Sequence, residues 1–196
     1  RLLSPTLGLI YVLARESRPA GGPAASRKKP GTQRPDIFDH AAVQLQPPEA
    51  GGAHPNVYFL AEYQVLHRHA GLGRNYAALN AAAGLATLVA HNAAHFETCA
   101  PVFDLCRKAF DALDQCAPPE AVRLKALFLL ARAEGYAARE QWLQTLPATD
   151  TALALAVLNR PAAEAAALAA GDATRLPKLR QAFERWLNEQ TDMEVK

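Results

Sequence analysis

The chain reads as an α+β protein, with a partial small-barrel β module over residues 1–70 followed by an all-helical domain over residues 71–196. Three observations predict this. Short apolar runs rich in β-branched and aromatic residues, each bounded by Pro and Gly, occupy the first third. Near Arg74 the apolar residues change to three- and four-residue steps. In VFDLCRKAFDALDQCAPPEAVRLKALFLLARAEGY, two apolar helical patterns then meet across Pro118 and Pro119.

Taken in order, GLIYVLAR at residues 8–15 predicts a buried strand between breakers. Residues 16–35, ESRPAGGPAASRKKPGTQRP, mix Pro, Gly, Ser and bases without periodicity and predict a long loop. Ile37 to Leu45 partly alternate, PPEAGGAHPN is a turn-rich connection, and VYFLAEYQVLHRH at 57–69 predicts a further strand. Strands punctuated this way imply a small antiparallel barrel or part of one. Residues 74–91 predict a helix on the stripe Tyr76, Leu79, Ala83, Ala86 and Val89, its alanines allowing close approach of a neighbour. Phe103, Cys106, Phe110 and Leu113 mark the next. Pro119 suits the first turn of a helix over about 119–134, apolar around most of its circumference and placed at the centre of a bundle, with Gly135 as its stop. Shorter helices follow near 138–145, 149–158 and 161–170. The last, 174–189, gathers Leu176, Leu179, Phe183, Trp186 and Leu187 on one face, with Pro177 tolerated in its first turn.

With half of its 196 residues apolar, a fifth charged and a net charge of +2, the chain has the composition of an ordinary globular protein. Its positive charge is local. Arg1, Arg15, Arg18, Arg27, Lys28, Lys29 and Arg34 face the single acid Glu16 in the first 34 residues. Such a loop can track a phosphate backbone without reading sequence. Cys99, Cys106 and Cys116 lack C-x-x-C spacing and read as buried reduced thiols, which fits a cytoplasmic protein. No apolar run has the length of a membrane span. The start at Arg1, inside a strand-bearing module, implies an upstream piece.

Catalytic motifs are sparse. No P-loop, G-x-G-x-x-G or G-x-S-x-G occurs, no carboxylate pair sits in an apolar setting, and GLG at 71–73 reads as a turn into a helix. The expectation is a protein that is not an enzyme and needs no cofactor. His91 and His95, in HNAAHFE, have the i, i+4 spacing of a zinc site but lack the glutamate of H-E-x-x-H, so a metal-dependent hydrolase is the third reading and no metal ligand is assigned. His67 and His69 read as surface residues.

The same residues resemble the recombination mediator RecO family. LLSPTLGLIYVLAR followed by a basic loop is similar to a segment of that family's N-terminal OB-fold, and the resemblance continues through PDIFDHAAVQLQ, LAEYQVL, VFDLCRKAFDAL, LKALFLLARAEGY and LRQAFERWLNEQ. It covers most of the chain, and the weight lies in order and spacing rather than in any one motif. Two departures stand out: the four-cysteine zinc motif that many members carry after Gly-Tyr is missing beyond Ala137, and the loops at 16–35 and 47–56 are long for the family.

The resemblance implies an OB-fold-like module, incomplete, over residues 1–70 and a non-catalytic function in bacterial DNA repair. Such proteins bind single- and double-stranded DNA, anneal complementary strands, and work with RecR to load RecA onto strands coated by single-strand-binding protein. On this reading Arg15, Arg18, Arg27, Lys28, Lys29 and Arg34 contact DNA. Arg123 and Lys125, on the helix where the family carries a basic residue, would meet the acidic, apolar tail of single-strand-binding protein. The second reading is a helical protein-interaction module without DNA binding.

Overall fold

The computed structural model describes residues 1–14, 34–48, 57–162, 164 and 174–195. They form an α+β fold made of two compact units. One comprises Arg1–Leu3 with Leu9–Arg68, the other Ser4–Gly8 with His69–Lys196.

The first unit holds a four-stranded sheet. Its strands are β1 (Leu2–Ser4), β2 (Gly8–Ala14), β3 (His40–Gln46) and β4 (Val57–His67), in the order β1-β2-β4-β3. β3 and β4 are antiparallel, but β2 and β4 run parallel, with Tyr11 opposite Val57 and Leu13 opposite Phe59. The expected antiparallel barrel is therefore corrected to a mixed sheet. Side chains alternate across a strand, so Ile10, Val12, Tyr58, Leu60, Tyr63 and Val65 share one apolar face. Tyr11, Leu13, Val57 and Phe59 share the other. A register shift between Gln44 and Leu45 lets Glu62 pair with Gln44 while Leu60 pairs with Leu45, as a bulge does.

The second unit is helical. A 3-10 turn at Leu72–Arg74 leads into α1 (Tyr76–Asn92), whose N-cap Asn75 accepts from the amides of Ala77 and Ala78 at 3.0 and 3.3 Å. Then come α2 (Cys99–Asp114), α3 (Pro119–Ala133), α4 (Ala138–Gln141), a 3-10 turn at Leu143–Thr145, α5 (Ala148–Asn159) and α6 (Arg175–Gln190). The expected helix at 161–170 lies largely outside the described residues.

α3 packs against α1, α2, α5 and α6 and buries residues on every side, from Val122 and Leu124 to Phe128 and Leu130; its place at the centre is as expected. Beside it sits an aromatic cluster, with Trp142 and Phe183 rings 4.6 Å apart and Phe183 stacked on Trp186 at 5.6 Å. α6 buries all five residues of its predicted face. α1 fully buries only Val89 of its predicted stripe, with Leu79 and Ala86 half-buried. Tyr76 is 84% exposed and Ala83 is exposed, while Ala78, Ala81, Ala82, Leu85, Leu88 and Val89 are buried. In an alanine-rich helix the few large residues define the face poorly, and the partner's shape decides it.

That shape is polar at one point. Arg123 of α3 lies against Gly84 of α1, where an added Cβ would stand 2.7 Å from a guanidinium nitrogen. The guanidinium is held 2.8 Å from Glu184 of α6, both side chains about one-sixth exposed or less. Arg180 bonds both Glu184 and Glu120, the latter at 2.5 Å. Two asparagines hold the C-terminal segment. Buried Asn92 donates to Glu194 O at 3.0 Å and accepts from its N–H at 2.9 Å. Asn188 makes the same exchange with Val195 at 3.1 and 2.8 Å.

Candidate nucleic-acid interface

Arg15, Arg18, Arg27, Lys28 and Lys29 lie outside the described residues. Arg34 is described, is exposed, and has its carbonyl bonded by Arg68 at 3.1 Å. The chain that re-enters the sheet there is fixed by one carboxylate. Asp39 accepts from Tyr63 Oη at 2.6 Å, from Arg68 Nε and Nη2 at 3.0 and 2.9 Å, and from the Asp36 amide at 3.0 Å. Its side chain is 2% exposed. Burial by itself raises the Asp39 pKa, but Arg68, Tyr63 and the Asp36 amide outweigh burial and hold it below the usual carboxylate range. Burial and the Asp39 hydrogen bond push Tyr63 up to about 12. In the turn between, Phe38 adopts a left-handed φ of 63°.

On the outer face of the sheet, Tyr11 and Leu13 are 52% and 51% exposed. Arg1 places its guanidinium carbon 5.3 Å from the centre of the Tyr11 ring, a cation–π contact. Val57 and Phe59, opposite them in register, are half-buried. In the sequence, the basic residues from Arg15 onward follow directly on β2.

In the helical unit, Arg123 is committed to Glu184, whereas Lys125 points to the surface side of α3 and donates to the Arg160 carbonyl. Burial lowers the Lys125 pKa. Lys125 lines a small cavity of about 50 Å³ floored by Phe128, Leu143, Leu155 and Leu158, with Arg132 and Arg139 also on its wall. Those two arginines were not singled out by sequence reasoning, although Lys125 and Arg132, seven apart, share one helix face. An apolar floor with a cationic rim can accept a side chain that is apolar at its base and next to a carboxylate.

The histidines divide differently from expectation. His69 is buried, not a surface residue; its Nε2 lies 3.0 Å from an Asp111 oxygen and its ring meets Phe110 edge-on at 6.0 Å. His67 is exposed. His91 and His95 are exposed, His91 Nδ1 contacts the Thr87 carbonyl at 2.9 Å, and no third ligand joins the pair among the described residues. Of the thiols expected to be buried, only Cys106 is, with burial pushing it up to about 12. Cys99 is half-buried and Cys116 exposed. Among the described residues no helix is long and apolar enough to cross a membrane. No family model matches the chain, and no curated protein or solved structure matches it either.

Proposed function

We propose that this chain is a non-catalytic, RecO-like recombination mediator that binds single- and double-stranded DNA, promotes annealing, and acts with RecR and single-strand-binding protein in loading RecA. The strand order carries the reading. β1-β2-β4-β3 with a central parallel pair is the order in which the second to fifth strands of a five-stranded OB barrel lie. The sequence that follows that sheet's second strand is rich in cations, from Arg15 to Arg34, as backbone-tracking proteins require. The cation-rimmed cavity of Lys125, Arg132 and Arg139 supplies a docking point of the right chemistry for an acidic, apolar tail.

The test is anisotropy of a labelled oligonucleotide at two salt concentrations, with Lys28→Ala/Lys29→Ala alongside. The expected result is salt-sensitive binding, weakened in the variant and with a shallower salt slope. Absence of binding at low salt would overturn the DNA reading. The same cavity then favours the second reading, a helical protein-interaction module.

A further inference from the structure

We propose that the groove between the start of α5 and the exposed side of α6 docks a short, extended, acidic segment of a partner protein. It is a different place from the cavity at Lys125, which α3 and the far end of α5 help to line, and it does not rest on DNA binding. The groove encloses about 440 Å³, with Leu146, Pro147 and Asp150 on one side and α6 residues from Arg175 to Arg185 on the other. That volume falls among those of sites that hold a ligand, about 300–1,000 Å³.

Charge selects the occupant. α6 carries four cations. Arg175 is tied to Asp150 at 2.6 Å, and Arg180 to Glu120 and Glu184. Lys178 and Arg185 are exposed, pair with no carboxylate among the described residues, and both line the groove. With Asp150 and Arg175 cancelling each other, the groove keeps the positive charge of these two. Ala182 lies between them in the helix, and Leu146, Pro147 and Leu179 complete an apolar lining. A phosphate backbone would use the cations and leave the apolar lining idle. A peptide with carboxylates beside an apolar side chain uses both. Size selects its shape. From Arg175 to Arg185 the helix rises about 15 Å, which an extended segment covers with about five residues. A helix about 10–12 Å across would need more than about twice the groove's volume over that length.

The experiment follows the anisotropy of a labelled hexapeptide, Asp-Asp-Leu-Asp-Asp-Leu, and of two controls in which Ser replaces Leu or Lys replaces Asp. Every titration uses the full chain carrying Lys125→Ala, so that the cavity on α3 does not report. In that background the acidic peptide should bind, and Lys178→Glu/Arg185→Glu should weaken it by about 10-fold. Both side chains are exposed, so the tryptophan-monitored melt of the reversed chain should match that of its background. The Ser control should bind about 5-fold more weakly than the Leu peptide. The Lys control should bind the reversed chain better than the background, a gain that misfolding does not produce. No binding of the acidic peptide, an affinity that ignores the reversal, or a Ser control that binds equally would overturn the inference. An oligothymidylate that loses as much affinity as the peptide on reversal would make this a nucleic-acid surface and overturn it too. The Lys28→Ala/Lys29→Ala test of DNA binding stands or falls separately from all of these.

Discussion

Single residues in this protein carry opposing effects that can be separated by sign. Gly84 sits inside α1, where alanine ordinarily gains about 1 kcal/mol of helix propensity. Here the new Cβ would meet the Arg123 guanidinium at 2.7 Å, and Glu184 keeps that guanidinium from swinging away. Gly84→Ala should therefore destabilise the chain by about 1–2 kcal/mol in urea titration. In an Arg123→Met background the same substitution should become stabilising by about 0.5–1 kcal/mol. A cost that persists without Arg123 would show that the contact is not the cause. Asp39 gives a second test, through pH. Its folded pKa is depressed, so its contribution to stability is fully present above the ordinary carboxylate value of 3.8 and is lost as pH falls below it. Tyr63→Phe removes one of its donors. The variant should lose about 1.5 kcal/mol at neutral pH, and the difference from the unaltered chain should shrink as pH drops through that window. A gap that stays constant down to pH 2 would mean the hydroxyl acts otherwise.

At the scale of elements, two helix ends make a matched pair. α3 ends at Gly135 with φ 84° and the Tyr136 amide on the Ala131 carbonyl at 3.0 Å. α2 ends the same way, with Ala117 N–H on Ala112 O at 3.0 Å, but the left-handed residue is Cys116, φ 65°. Gly135→Ala should cost about 1 kcal/mol, and Cys116→Gly should gain about 0.5–1 kcal/mol; thermal melts read both, and equal signs would contradict the geometry. These ends also show what the sequence makes legible. Gly135 is readable as a stop because glycine announces its own backbone freedom. Cys116 is not, because a cysteine carries no sign of the left-handed backbone it adopts here. α6 is readable because its large residues fall on one stripe, whereas α1 is a string of alanines with too few large residues to mark its buried side. β1 is three residues long and has no period to detect. The parallel pairing of β2 with β4 joins segments far apart in sequence, and no local pattern encodes it. For the candidate site the limits are chemical. Arg132 and Arg139 look like any solvated helix charge until the floor between them exists.

Apart from Ser4–Gly8, which belong with the helical unit, the chain divides between Arg68 and His69, and that division has a consequence for both stability and function. Trp142, Trp186, Phe128 and Phe183 form one cluster inside the helical unit, so every tryptophan of the chain reports on that unit alone. Its ion network, Glu120, Arg123, Arg180 and Glu184, is likewise internal to the unit. The asparagine clamps on Glu194 and Val195 close it at the C-terminus. Residues 69–196 hold this core, its buried charges and its end clamp and lack only Ser4–Gly8 of the unit, which is what independent folding needs. Residues 69–196 produced alone should melt cooperatively, with a tryptophan-monitored midpoint within about 5 °C of that of the full chain. Asn92→Ala removes the exchange with Glu194 and should lower both midpoints together, through a loss of about 2 kcal/mol. On the proposed reading the fragment should lose oligonucleotide binding while keeping any affinity for an acidic, apolar peptide, because that reading puts the first on the cations and sheet before residue 69 and the second on Lys125, Arg132 and Arg139. A fragment that melts without cooperativity would show that the helical core draws on the β unit for its stability. One that still binds the oligonucleotide would move the DNA contact onto the helices and away from the basic loop.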